Sequence, residues 1–295
     1  RTDDPGSMTV THNATIPIGS TAFTVNCNVD GALVCLSINN NILATAYANS
    51  GVANFSFPAL SSVDTILVTA TAYNKVTYQV NVQIVVPSGP WVITSGQIVQ
   101  DASGNNNSLA DYAENIQLEV ALHNVGISTA NSVTATLSTS DPYITINNNT
   151  ALYGNIAANA TVSVTNAFDI TVANNIPDGH MVQFDISAVD NNSNTWNSSF
   201  MMPVLAPDFT NSFLVSVNDA SGNNNGRIDP GETVILSIQS TNSGGSNSPS
   251  AISNLNFTSP YLTNVSGNYN AGVVNTGANV VSTFTLTASA STPHN

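Results

Sequence analysis

Cations are almost absent from this sequence. Only 3 of its 295 residues are Lys or Arg (Arg1, Lys75 and Arg227), against 17 Asp or Glu, and the formal net charge is −14. Charged residues of both signs make up 7%, where a globular chain carries about 25%. A protein that grips nucleic acid neutralises several phosphates with Lys and Arg. Attraction to an anionic membrane surface draws on the same residues. Neither class of partner suits this chain. No apolar run approaches the roughly 20 residues of a bilayer-spanning helix, so no membrane span is expected. Apart from Ala, the residues that favour long helices are scarce, and cysteine is limited to Cys27 and Cys35.

Asn takes their place, at about one residue in seven, together with Ser, Thr and Val. Hydrophobic residues, at 42%, are still numerous enough to build cores. An uncharged surface of hydroxyls and amides over short β-prone runs points to a secreted or cell-surface all-β protein. Its length leaves room for two or three domains. Residues 1–7, with Gly6-Ser7 ahead of Met8, read as a tag remnant or processed terminus, and no apolar signal-peptide stretch stands there.

Residues 8–88 alternate β-prone runs (8–12, 22–28, 32–38, 42–48, 52–57, 65–72 and 77–86) with Gly, Asn and Ser clusters. That spacing predicts an immunoglobulin-like sandwich. Pro87-Ser88-Gly89-Pro90 then makes a stiff linker. Beyond it the chain repeats itself, since the Asp101–Asn107 heptapeptide recurs verbatim at Asp219–Asn225. The same offset relates Asp111 to Asp229, Glu114 to Glu232, Asn124-x-Gly126 to Asn242-x-Gly244, and Pro142-Tyr143 to Pro260-Tyr261. Ile116, Leu118, Val120 and Leu122, like Val234, Leu236 and Ile238, alternate with polar residues, which predicts strands with one face buried. The fold class is therefore all-β, with three tandem immunoglobulin-like β-sandwich domains at 8–88, 89–206 and 207–295. The third is expected to be incomplete, because the first copy continues into two strand-like runs, Met181–Val189 and Trp196–Val204, that the second lacks; a truncation or processing boundary explains this, as does a gap filled by a strand from another chain. An open sheet edge of this kind invites self-association.

The repeated loops are the candidate chemistry. Ser221-x-Asn223-x-Asn225-Gly226-x-Ile228-Asp229-x-x-Glu232 has the 1, 3, 5, 9, 12 oxygen spacing of an EF-hand-like calcium loop, with Asp219 just upstream. The first copy places Asp101, Ser103, Asn105, Asn107, Asp111 and Glu114 at the same offsets, with Ser108 in place of the Gly and Ala110 in place of the Ile. A hard cation wants six to eight oxygens and a closing bidentate Glu. The expectation is a weak calcium clip on each sandwich, set against an Asn/Gly-rich turn without metal. Asp190-x-Asn192-x-Asn194 reads as a plain hairpin turn.

Cys27 and Cys35 flank Asp30-Gly31, a hairpin signal. A disulfide and two buried thiols both fit this pair. His12, His123, His180 and His294 are scattered, and no nucleophile elbow, His-Glu-x-x-His or phosphate-cradling loop occurs, so no catalytic residues are expected. Trp91 and Trp196 do not cluster as a sugar platform would.

Val25-x-Cys27, Gly31-Ala32-Leu33-Val34 and above all Thr69-x-Thr71-Ala72-Tyr73-Asn74-Lys75 resemble the immunoglobulin-like domain that follows the catalytic domain in the gingipain family of cysteine peptidases. Asp229-Pro230-Gly231-Glu232 and the Asn-x-Gly motifs are similar to adhesion-like repeats of large Bacteroidetes surface proteins, although Asp111-Tyr112-Ala113-Glu114 departs in its middle. The resemblance implies export by the type IX system and a parent protease whose catalytic Cys and His lie outside this chain. It carries no peptidase residue onto this sequence. The reading reached is a non-catalytic, calcium-stabilised extracellular stalk or adhesion region. Its partners would be the parent's other domains, the cell surface or the extracellular matrix. The alternatives are a fibre subunit joined by strand complementation and a carbohydrate-binding module.

Overall fold

The computed structural model describes residues 4–293, among which there is no α-helix. The first eight strands are β1 (Val10–Thr11), β2 (Thr15–Pro17), β3 (Ala22–Cys27), β4 (Leu33–Ile38), β5 (Asn41–Tyr47), β6 (Val52–Ser56), β7 (Thr65–Thr71) and β8 (Tyr78–Val85). They form two sheets, ordered β1-β3-β6 and β2-β8-β7-β4-β5. Alternation decides which side chains turn inward. Phe23, Val25 and Cys27 of β3 meet Ile66, Val68 and Ala70 of β7 in one buried cluster. These alternate residues lie on one side of each strand, as a period of two requires.

Three features of this region add to what the sequence suggests. Gly6 is part of the fold, since its N–H donates to Asn74 O (3.0 Å) and its carbonyl accepts from Val76 N (2.9 Å). β2 pairs in parallel with β8, with Ile16 opposite Ile84. A three-residue run ending in proline gives no periodicity from which such a pairing could be read. The Asp30-Gly31 turn does not join a hairpin, because β3 and β4 belong to different sheets. Cys27 and Cys35 are accordingly free thiols, the former buried and the latter half-buried.

The next strands are β9 (Val92–Gln100), β10 (Asn115–Asn124), β11 (Ala130–Ser138), β12 (Ile144–Asn148), β13 (Thr150–Ile156), β14 (Thr161–Val172), β15 (His180–Val189) and β16 (Thr195–Val204). Their sheets run β12-β14-β10-β9 and β13-β11-β15-β16. The last six are β17 (Ser212–Asn218), β18 (Thr233–Thr241), β19 (Ser248–Asn254), β20 (Leu262–Ser266), β21 (Asn268–Val274) and β22 (Asn279–Ala288), in sheets β17-β18-β22-β20 and β19-β21. The four-stranded sheet thus recurs strand for strand. β19 and β21 repeat β11 and β13, while β15 and β16 have no counterpart among the described residues. Ile116, Leu118, Val120 and Leu122 are fully buried, as is Val234.

No sheet mixes strands from 8–88, 89–206 and 207–295. The backbone nevertheless groups into two compact units rather than three. One holds Arg1–Ala102, Ile116–Thr171 and Gln183–Met202, the other Ser103–Asn115, Val172–Val182 and Pro203–Asn295. The first acidic loop therefore belongs to the same unit as the third sandwich.

Candidate functional site

The repeat carries two devices, a linker clamp and an acidic loop. β10 ends on Asn124, which is fully buried. Its Nδ2 donates to Ser128 O (2.8 Å) and Ile156 O (3.0 Å). Its Oδ1 accepts from Trp91 N and Gly126 N, both at 3.0 Å. The amide's two donors and two lone pairs are all engaged. Gly126 lies so close to Gly89, Pro90 and Trp91 that any side chain would collide with their backbone. Val125 between them packs against the core of the first sandwich.

Asn242 duplicates this clamp. Nδ2 donates to Ser246 O (2.9 Å) and Val274 O (3.1 Å), and Oδ1 accepts from Asp208 N (3.1 Å) and Gly244 N (3.2 Å). Gly244 crowds the backbone of Ala206, Pro207 and Asp208 as Gly126 crowds residues 89–91. In the sequence the Asn-x-Gly pairs mark the repeat and carry a resemblance to adhesion-like modules, without showing this task. The signal for their task was a proline-containing connector ahead of each copy.

In the second acidic loop Asp219 is buried at 2% exposure. Its carboxylate accepts from Asn225 N (2.8 Å) and Gly226 N (3.2 Å). Asn223 and Asn225 each point Nδ2 at Asp229 Oδ2, at 2.7 and 2.6 Å. Their Oδ1 atoms cap the backbone two residues on, at Asn225 N (3.1 Å) and Arg227 N (2.8 Å). The first loop repeats this geometry. Asn105 and Asn107 Nδ2 reach Asp111 Oδ2 at 2.5 and 2.8 Å, while their Oδ1 atoms cap Asn107 N and Leu109 N. Asp101 is buried as well. Gly226 has φ 76°, and Ser108 adopts the same left-handed conformation at 63°, at a steric cost that glycine avoids.

The closing glutamates depart from the spacing-based expectation. Glu232 Oε1 accepts from Asn223 N (2.9 Å) and Oε2 from Asp229 N (3.3 Å). Glu114 does the same for Asn105 N (3.1 Å) and Asp111 N (3.3 Å). Each Glu clasps its own loop backbone, and a Cβ on Gly104 or Gly222 would collide with it. Ser103 and Ser221 Oγ donate to Asn115 O (3.0 Å) and Thr233 O (2.9 Å), closing the loop base. Among the described residues no three His, Cys, Asp or Glu side chains gather as a ready-made metal cluster.

The loops differ in cover. Asp229 is half-buried, whereas Asp111 is 1% exposed and its Oδ1 meets no hydrogen-bond partner. A buried bare carboxylate oxygen fits a cation, while the Asn105 and Asn107 amides turn Nδ2 toward the same carboxylate and would offer Oδ1 only after a flip. Burial also raises the pKa of the neighbouring Tyr112, whose side chain bonds to Ser248. Burial, with Glu119 adding to it, raises that of Tyr153, whose OH donates to Val120 O (2.8 Å).

The remaining candidates are structural. Asp190 accepts from Asn192 N, Asn194 N and Asn194 Nδ2, each at 2.9 Å, and holds the β15–β16 turn. Burial pushes its pKa up, but the bonds from Asn194 and Asn192 outweigh that and hold it below the usual carboxylate range. His12 bonds to Asn13 O and Tyr78 OH, and His123 to Thr161 Oγ1. His294 lies outside the described residues. Trp196 is buried, and half-buried Trp91 lies with its Nε1 edge against Gly19.

Residues 11–85 match the family model described as the C-terminal Ig-like domain of peptidase family C25. The first sandwich is of the gingipain-family immunoglobulin-like type. Solved structures similar to the chain include the complex of Porphyromonas gingivalis RgpB pro- and mature domains and the Arg-specific cysteine proteinase gingipain R (RgpB). Each is 29% identical over 28% of this chain and 19% of that one, with a TM-score of 0.27. The native conformation of Escherichia coli α2-macroglobulin aligns over 97% of this chain and 21% of its own at 9% identity and a TM-score of 0.28. The chain matches no curated protein. The gingipain-type domain covers about a quarter of the chain and is a non-catalytic module. The aligned part is about a fifth of the two gingipain structures.

Proposed function

We propose that this chain is a non-catalytic spacer of a secreted, cell-surface gingipain-like bacterial protein, in which a gingipain-type domain is followed by two copies of a calcium-stabilised repeat. The observation that carries the reading is the duplicated Asn-x-Gly clamp. In each copy a saturated, buried amide and a glycine without room for a side chain seat the incoming connector on its sandwich. That is machinery for holding domains, and it presents no reacting group. An antibody raised against the chain should label intact cells and capture a longer polypeptide with cysteine-peptidase activity. Capture of a cytoplasmic species of this length alone would overturn the reading.

Calcium is the finer part. The support is the twin oxygen-rich loops and the bare Asp111 Oδ1. Asp111, Asn105 and Asn107, and likewise Asp229, Asn223 and Asn225, would hold the ion, with Glu114 and Glu232 shaping the loops. At tenfold excess over the dissociation constant, one site adds about 1.4 kcal/mol. Calorimetry should detect two sites in the millimolar range, and the melting midpoint should rise with calcium and fall with chelator. A midpoint unmoved by millimolar calcium removes this part.

One observation favours the fibre reading as a second. Beside the edge of β19 that no described strand pairs lies a groove of about 330 Å³, whose lining includes Ile238, Ile252, Leu255, Val280 and Phe284. In the preceding repeat the corresponding edge of β11 is paired by β15, with Leu137 opposite Ile186. An extended segment with apolar residues at alternate positions, antiparallel to β19, fits there. Light scattering that finds a monomer at every concentration rejects self-assembly through this edge.

A further inference from the structure

The first acidic loop also holds the segment that leaves β16. Leu205 N donates to Ala110 O (2.9 Å), Tyr112 N donates to Leu205 O (2.8 Å), and Asp111 bridges to Leu205. Asp178 Oδ1 then accepts from both Ala206 N and Gly245 N at 2.9 Å. The Tyr112 side chain bonds to Ser248 at the start of β19. Between loop and sandwich lies a cavity of about 310 Å³ whose walls include Asn105, Asp111, Tyr112, Glu114, Asn247 and Pro249. All of these residues belong to one compact unit.

Asp111 sits under this cover with Oδ1 bare. An ionised carboxylate removed from water without a full set of partners is costly to keep there. Two events relieve the cost: a cation arrives, or the cover lifts and water enters. The closed arrangement and cation binding are therefore linked, and each favours the other by the same factor.

We propose that the first loop is a calcium-operated latch. An ion held by Asp111, Asn105 and Asn107 keeps residues 203–206 and Ser248 docked on the loop, and chelation releases them. The latch rests on the reading of the loops as calcium sites and adds what the first ion holds in place.

Hydrogen exchange on the intact chain, with calcium or chelator, reads the amides of Tyr112, Leu205, Ala206 and Gly245. Calorimetry counts filled sites in parallel. At tenfold excess of calcium over the dissociation constant, these amides should exchange about tenfold more slowly than in chelator. Asp229→Asn should keep that slowing. Asp111→Asn should abolish it while one calorimetric site remains, and so should Asn105→Ala, a substitution on the exposed rim that spares the buried carboxylate. Equal exchange with and without calcium, while calorimetry shows the first loop filled, overturns the latch and leaves the calcium reading intact. No binding at either loop overturns both.

Discussion

The two acidic loops share one heptapeptide, one hydrogen-bond pattern and one clasping glutamate, yet Asp111 is sealed while Asp229 is half open. The loops differ at Ser108/Gly226, Ala110/Ile228 and Tyr112-Ala113/Pro230-Gly231, and in what packs against them. Ala110–Tyr112 lie against Leu205, so the segment leaving β16 covers the first loop. Local sequence dictates how such a turn hydrogen-bonds to itself, through Asn side chains that cap the backbone two residues on. Its burial, and with it the energetic demand on its carboxylate, is set by whatever the chain packs against it.

The comparison can be broken most forcefully at the clamps, where the repeats look alike. Asn124→Ala and Asn242→Ala each orphan two buried carbonyls and two N–H groups. With about 1–3 kcal/mol lost per unsatisfied group, each should destabilise its repeat by about 3 kcal/mol or more. Chemical denaturation followed with separate probes in 89–206 and 207–295 checks this. A large loss for one and none for the other would mean that the second clamp is a relic. Next come the clasps. Glu114→Ala and Glu232→Ala remove two charge-assisted bonds apiece, and partial exposure limits the expected loss to about 2 kcal/mol. If the cover matters, the Glu114 variant should lose more, because its loop supports Leu205. The smallest effect concerns the β15–β16 turn. Asp190 has a lowered folded-state pKa, so its stabilising contribution is complete above the unfolded value of about 3.9 and drains away as pH falls through the folded value. Asp190→Asn should flatten that acid limb of the stability curve for the first repeat. The curve above pH 5 should keep its shape, and an unaltered acid limb would remove the assignment.

Period-two alternation made most strands legible, because burial on one face leaves its mark on every second residue. The repeat was legible as well, since its loop residues are tied to backbone tasks that admit few substitutes. Three features were hidden for physical reasons. The parallel β2–β8 pairing joins residues nearly seventy positions apart through a run too short to show a period. Cys27 and Cys35 look like hairpin partners until their strands turn out to sit in opposite sheets. Glu114 and Glu232 fit ligand spacing, but the same spacing lets a carboxylate reach back to its own loop amides. The spacing alone cannot distinguish a side chain that grips an ion from one that grips the main chain.

Each connector is seated by an Asn and a Gly of the very repeat it introduces: residues 89–91 by 124–126, and 206–208 by 242–244. Plug and socket thus travel in a single stretch of coding sequence. Copying that stretch delivers a ready-fitted coupling along with the new module, so the array can lengthen or shorten without any other part being redesigned to receive it.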